Sequence, residues 1–373
     1  MTAHMRILVG CLWLLAPAFV RSADLSSTNI WPDRATPTKI EFVDVVGEAP
    51  KDMGAFGQAR IVELPDDDAR ELTCLVVIHH AQPRSNPQRV RVSHANGSVR
   101  LPMRDYNGSK ATIRLSRSKQ PRGMFIYLTG IVGLTPPERK LVDTFQHAGW
   151  HTIASETSHN FFRRRRVTVN MEKFNAQAAQ LGADVNDHLA DKAYTVEALM
   201  AYLRKQHPTA ANGPIVIAGG SAGAIAVPAV ATRIGRADAI VLIGSGGNAS
   251  RIVTESSLAP LTLYHQTSDT GATNPSKLNA DERVRFAAAM HEQVDLDGLR
   301  LARHWLKTPI LMVRAELDEM VPAVTNDELY KALAKPERWS MPVNHIMLFA
   351  ALHLQAGMIY QWTDKAISDA KTR

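Results

Sequence analysis

The sequence predicts an α/β fold, a mostly parallel central sheet with helices on both faces. Two observations carry that expectation. From residue 124 onward, short apolar or β-branched runs alternate with helical stretches, the pattern of strands joined by crossover helices. One of those runs, residues 214–218, feeds straight into a glycine- and serine-rich turn and then an alanine-rich stretch, a strand–turn–helix sequence. Composition agrees. With 373 residues, 45% hydrophobic and 21% charged, the chain is no disordered or collagen-like polymer and is long enough for a sizeable core.

The elements follow in order. Residues 124–128 (Met-Phe-Ile-Tyr-Leu) read as a buried strand. Thr135-Pro136-Pro137-Glu138 then offers a Thr cap, a Pro at the first helical position and a Glu at the third, so a helix should run to Ala148 and stop at Gly149. A second strand is expected at 150–154. Val185, Leu189, Ala193, Val196, Met200 and Leu203 recur at three- and four-residue steps, which predicts a helix over 185–206 with one buried face. Further strands are expected at 215–218, 239–243 and 310–313, with a last short one leading to a loop at His345. Residues 251–306 exceed a simple crossover and read as a helical cap insertion, with 258–264 as candidate pocket wall.

The N-terminal third differs. Arg6, an apolar stretch over 7–20 and the small residues after Arg21 read as a secretory signal over residues 1–22. The stretch is shorter than the ~20 residues that span a bilayer. Removing it takes Cys11 away and leaves Cys74 as the only cysteine, so no internal disulfide framework is available. Residues 23–120 form a β-rich extension that packs on or joins the sheet. Strands are expected at 40–46, 59–64, 72–78, 89–93 and 112–115, with hairpin turns at Asn96-Gly97 and Asn107-Gly108. The catalytic domain is then 121–373.

The chemistry gathers at the strand ends. Gly219-Gly220-Ser221-Ala222-Gly223 is a G-x-S-x-G turn between strand and helix, where a strained backbone pushes a serine hydroxyl above the sheet. Gly219 and Gly223 are required because a Cβ would collide with the neighbouring strand and helix. Pro228, inside the following helix, should kink it.

With these residues in view, the region from about 124 to 360 resembles the α/β-hydrolase superfamily, whose nucleophile, acid and histidine follow in that chain order. The resemblance implies the roles that follow. Ser221 is the nucleophile, within the elbow glycines Gly219, Gly220 and Gly223. Residues 308–322 look like the family's acid loop, with Asp318 as the orienting acid, Glu316 and Glu319 as substitutes, and Ala315 where Gly is usual. His345 is the base, preceded by Asn344 rather than Gly, with His353 as the alternative. The oxyanion hole takes the N–H of Ala222 and one from Thr129-Gly130-Ile131, Ile131 first and Gly130 next, with Thr in place of the family's His.

A serine esterase with an acyl-enzyme intermediate is therefore expected, secreted or periplasmic, acting on a small-molecule or polymer-linked ester. No metal or organic cofactor is implied, and no stable membrane insertion after signal cleavage. The net charge of +7 is too diluted to point to nucleic acid. A serine peptidase of the same fold and a non-catalytic binding protein are the rival readings. Gly244-Ser245-Gly246-Gly247 is a candidate pocket lining, and the arginine run 163–166 reads as a solvated loop.

Overall fold

The computed structural model describes residues 30–31, 39–41, 71–79, 88–94, 97–103, 106–156, 165–208, 212–258, 260–266 and 276–372. Its main sheet is built from β1 (Lys39–Glu41), β2 (Glu71–His79), β5 (Tyr106–Arg114), β6 (Met124–Leu128), β7 (His151–Ser155), β9 (Ile215–Gly220), β10 (Ala239–Ile243), β12 (Ile310–Ala315) and β13 (Glu337–Met341). Their order is β1-β2-β5-β7-β6-β9-β10-β12-β13. The six strands from β7 to β13 run parallel, and β1, β2 and β5 extend them antiparallel at one edge. Two small sheets stand apart: the hairpin β3 (Gln88–His94) with β4 (Gly97–Met103), and β8 (Arg165–Val169) parallel to β11 (Leu261–His265).

Side-chain alternation sorts the core into two layers. Met124, Ile126, Leu128, Ile215, Ile217, Ile240, Leu242 and Met312 point to one face, where α2 (Phe174–Gln206) and α3 (Ala222–Ile234) cover them. Phe125, Tyr127, Val216, Ala218, Val241, Ile243, Leu311 and Val313 point to the other, under α1 (Pro136–His147) and α8 (His345–Lys371). A parallel strand buried on both faces needs this continuous apolar sequence. Each such Ile, Leu or Phe side chain contributes about 1.5–3 kcal/mol of burial. This is a mostly parallel central sheet with helices on both faces, the α/β architecture that the sequence predicts.

Several expectations shift. The helix expected from Val185 begins eleven residues earlier, at Phe174, where the Asn170 side chain accepts the Glu172 N–H and starts a 3-10 turn that feeds α2. That first part packs through Phe174 on Phe286 of α5 (Ala280–His291), so it lacks the periodicity of a sheet-facing helix. Asn107-Gly108 is no turn: both lie inside β5, paired with Ile78 and Val77, where the ladder to β2 outweighs a local turn preference. Arg165 and Arg166 are strand residues of β8 rather than loop. Helix α3 continues through Pro228. The insertion over 251–306 contains, beside α5, α6 (Gly298–Leu301) and most of α4 (Ala249–Glu255), the strand β11. Leu261, Thr262 and Leu263 line an open cleft of about 470 Å³ whose walls include none of the expected site residues. The signal segment 1–22 and the strand expected at 59–64 lie outside the described residues.

Candidate active site

The C-terminal ends of β6, β9, β10 and β12 supply the site. Strand β9 ends at Gly220, and Ser221 turns the chain into α3 with φ 53° and ψ −122°, a positive φ that costs a side-chain-bearing residue energy. The glycines around it answer to contact. A Cβ on Gly219 would stand 2.7 Å from the Ala224 nitrogen, and one on Gly223 would stand 2.1 Å from the Leu128 carbonyl oxygen. Neither neighbour is a flexible side chain, so both positions exclude any other residue.

The imidazole of His345 closes on the serine from α8. Its Nε2 lies 2.9 Å from Ser221 Oγ, and its Nδ1 lies 2.6 Å from Asp318 Oδ2. The other Asp318 oxygen, Oδ1, accepts the backbone N–H groups of Met320 and Val321 at 2.9 and 2.8 Å. The carboxylate is thereby fixed in place with one oxygen left for the imidazole. Both Asp318 and His345 are buried, which strengthens the contact between them. The acid loop hangs from the end of β13: Glu316 N–H donates to the Met341 carbonyl and Leu317 N–H to Val343. Glu316 and Glu319 are exposed, and neither has a hydrogen bond to His345.

His345 was expected on a loop; it is instead the first residue of α8. Asn344 caps that helix, its Oδ1 accepting the Met347 N–H at 3.0 Å, which explains Asn where glycine is usual. His353 lies two turns further along α8. It is exposed rather than packed in the core, and its Nδ1 faces the Ala350 carbonyl at 2.7 Å, so the structure does not bring it to Ser221. The glycine run after β10 does reach the site. Gly244 has φ 56°, and a Cβ there would press on His345 Cε1 at 3.1 Å. The Phe349 ring packs against the imidazole, with ring centres 5.0 Å apart.

Two groups of backbone N–H flank the serine. Ala222 opens α3, and its N–H has no acceptor among the described residues, as the first turn of a helix dictates. Gly130 lies close, since a Cβ on it would stand 3.4 Å from Ser221 Cβ. The Gly130 carbonyl accepts the Thr129 hydroxyl at 3.0 Å and the Gly133 N–H at 3.3 Å. In a trans peptide the Ile131 N–H points opposite to that carbonyl, so Thr129 sets its direction. The Ile131 N–H likewise has no acceptor among the described residues.

Sequence reasoning missed the support beneath the elbow. Glu138, read only as a helix-capping residue, is fully buried and does three things at once. Its Oε2 accepts the Thr135 N–H and hydroxyl at 2.9 and 2.6 Å, and its Oε1 accepts the Tyr127 hydroxyl at 2.9 Å. A Cβ on Gly220 would stand 2.5 Å from the Tyr127 oxygen and 2.9 Å from Glu138 Oε1. The capping pattern reported the backbone half of this arrangement; nothing local reported the tyrosine half. Burial and the Glu138 carboxylate push the Tyr127 phenol well above its usual range, so it stays a donor. Among the described residues no group of three or more His, Cys, Asp or Glu is arranged to hold a metal ion.

No protein-family model matches the chain, and no curated protein matches it. Solved structures of similar outline include Est1E from Butyrivibrio proteoclasticus, 14% identical, covering 75% of this chain and 99% of that one at a TM-score of 0.46. The esterase domain of a Rhodothermus marinus protein is 14% identical over 76% and 99% of the two chains, at a TM-score of 0.42. The Pyrococcus furiosus esterase Pf2001 is 11% identical over 77% and 92%, also at 0.42.

Proposed function

We propose that the chain is a serine hydrolase that cleaves carboxylic esters through an acyl-enzyme. One observation carries the reading: the unbroken contact from Asp318 through His345 to the hydroxyl of a strained serine at a strand-to-helix turn. A side chain held at positive φ, with its hydroxyl on a buried imidazole, has no packing explanation.

In this mechanism Ser221 Oγ attacks the ester carbonyl while His345 Nε2 takes its proton. Asp318 keeps the Nδ1 proton on the far side of the ring and stabilises the imidazolium. The carbonyl oxygen becomes an oxyanion that accepts from the Ala222 and Ile131 N–H groups, with the N-terminus of α3 adding its positive end. Collapse expels the alcohol, which receives the proton from His345 Nε2. Water then attacks the acyl carbon and gives a proton to His345; collapse releases the acid as His345 returns that proton to Ser221 Oγ.

Apolar side chains support an apolar group on the ester. Val132, Leu317 and Ile346 are 73%, 64% and 62% exposed, and each is the chain neighbour of a site residue: Ile131, Asp318 and His345. Exposed apolar side chains next in the chain to the reacting groups favour an alkyl or aryl substrate over a sugar alone. Residues 1–22 are proposed to direct export and to be removed.

Labelling with a fluorophosphonate probe, read by intact mass and peptide mapping, tests the reading. A single adduct on Ser221 is expected, abolished in Ser221→Ala and His345→Ala and kept in His353→Ala. Hydrolysis of p-nitrophenyl esters should follow the same pattern. A folded protein that takes no adduct and cleaves no ester would sink the enzyme and leave a binding role.

A further inference from the structure

One buried charge takes no part in this mechanism. Lys192, in the middle of α2, is only 4% exposed, and no carboxylate lies within ion-pair distance of it among the described residues. Its ammonium donates instead to two neutral oxygens, Ser155 Oγ at 3.2 Å and the Glu156 carbonyl. The Glu156 carboxylate acts on it only from beyond that distance, and a lysine sunk in a core without a direct ion pair costs stability, so the position needs another explanation.

Its two acceptors sit where β7 ends, and that end carries the turn 129–133. The Ser155 carbonyl accepts the Thr129 N–H at 3.0 Å, the bond that starts the turn. The Glu156 carboxylate lies beside the far end of the turn, 3.5 Å from where a Cβ on Gly133 would stand, and is steered there by Lys110 at 3.0 Å. Residue 155 therefore bonds one end of the segment that presents the Ile131 N–H and residue 156 lies beside the other, and Lys192 holds both of them.

We propose that Lys192 is a positioning residue for the oxyanion hole, fixing the end of β7 so that the 129–133 turn meets the developing negative charge. The inference rests on the ester-hydrolase reading of the same site. Lys192 touches neither substrate nor Ser221; it acts through Ser155 and Glu156. Misplacing a reacting group by about 1 Å can cost about 100-fold in rate, and losing this anchor should reach a good part of that.

Lys192→Met, which keeps the volume and removes the donors, tests it with p-nitrophenyl butyrate. The expected result is kcat lower by about 10- to 100-fold, KM within about twofold, and a thermal midpoint no lower than the parent's at pH 7. Ser155→Ala, which removes one of the two acceptors, should give a smaller fall in kcat, and the double variant should match Lys192→Met alone. Unchanged kcat in Lys192→Met overturns the inference. So does a fall in kcat that only tracks a lower thermal midpoint, which marks a structural role. Should Lys192→Met fail to fold, Ser155→Ala decides by the same two readouts. A parent protein that neither hydrolyses the ester nor takes the phosphonate fails the function itself, whereas an active parent with an indifferent Lys192→Met fails this inference alone.

Discussion

Ser221 is held at φ 53° and ψ −122°, where a Cβ is crowded and a glycine is not. Strain of this kind costs about 1–3 kcal/mol and persists only because the surroundings dictate it. Here they do: the Ser221 N–H donates to the Ile243 carbonyl at 2.8 Å, and α3 begins at the next residue. Two single changes separate the strain from the chemistry. Both Ser221→Ala and Ser221→Gly remove the hydroxyl, but only glycine removes the Cβ. Glycine gives back part of the gain through the greater freedom of the unfolded chain. Ser221→Gly should still be more stable than Ser221→Ala by about 1 kcal/mol, read as a shift in urea midpoint. Equal midpoints would mean that the backbone at this turn is relaxed.

At the scale of elements, α8 ties the site to the core. Its first residue is His345, while Leu348, Leu352, Ala356 and Ile359 are buried in the layer that covers the sheet and packs on α1. Leu352→Ala should cost about 2–5 kcal/mol by the cavity it leaves. Leu354→Ala, two residues along and 72% exposed, should stay within about 0.5 kcal/mol of the parent. Urea denaturation of the two variants checks the contrast, and a large loss in both would contradict the burial pattern of the helix. Much of this layout was legible in the sequence. The strands at 124–128 and 239–243 appear at their expected bounds, since a parallel strand buried on both faces shows as a bare apolar run. Ser221, His345 and Asp318, which the structure brings within hydrogen-bond distance of one another, stand out as candidates in the sequence because the turn and loop patterns around them are local. What stayed hidden was long-range: Asn107-Gly108 belongs to a strand only because β2 pairs with it, and α2 begins early only because α5 covers its first turns. Lys192 and the Tyr127–Glu138 pair were hidden for the same reason, since their partners are remote or on another element.

For the whole molecule, buried bases make stability rise with pH in two separate windows. His151, at the opposite end of β7 from Ser155, has its pKa lowered to about 4 by burial and by the nearby His207. Its Nδ1 accepts the Ser116 N–H at 3.1 Å, and its Nε2 finds no partner among the described residues. The unfolded chain takes up this proton below about pH 6.5, whereas the folded chain resists until about 4. Acid therefore favours unfolding as pH falls through that interval. Lys192 repeats the argument higher up, because burial lowers its pKa from 10.5 to about 7. Between those values the unfolded chain binds a proton that the folded chain has released, so stability climbs as pH rises from about 7 toward 10.5. The slope is at most about 1.4 kcal/mol per pH unit. The net charge of +7 works in the same direction, since self-repulsion fades toward the pI near 9.4. The thermal midpoint should accordingly rise between pH 5 and pH 9. His151→Gln, which keeps an acceptor for Ser116, should flatten the acid part of that curve and leave the alkaline part intact. Lys192→Met should do the reverse, and its stability advantage over the parent should be largest below pH 7 and shrink toward pH 10. Scanning calorimetry of the three proteins across this range decides it: a parent midpoint that is flat or falls with pH would show that neither base is buried at the cost its surroundings imply.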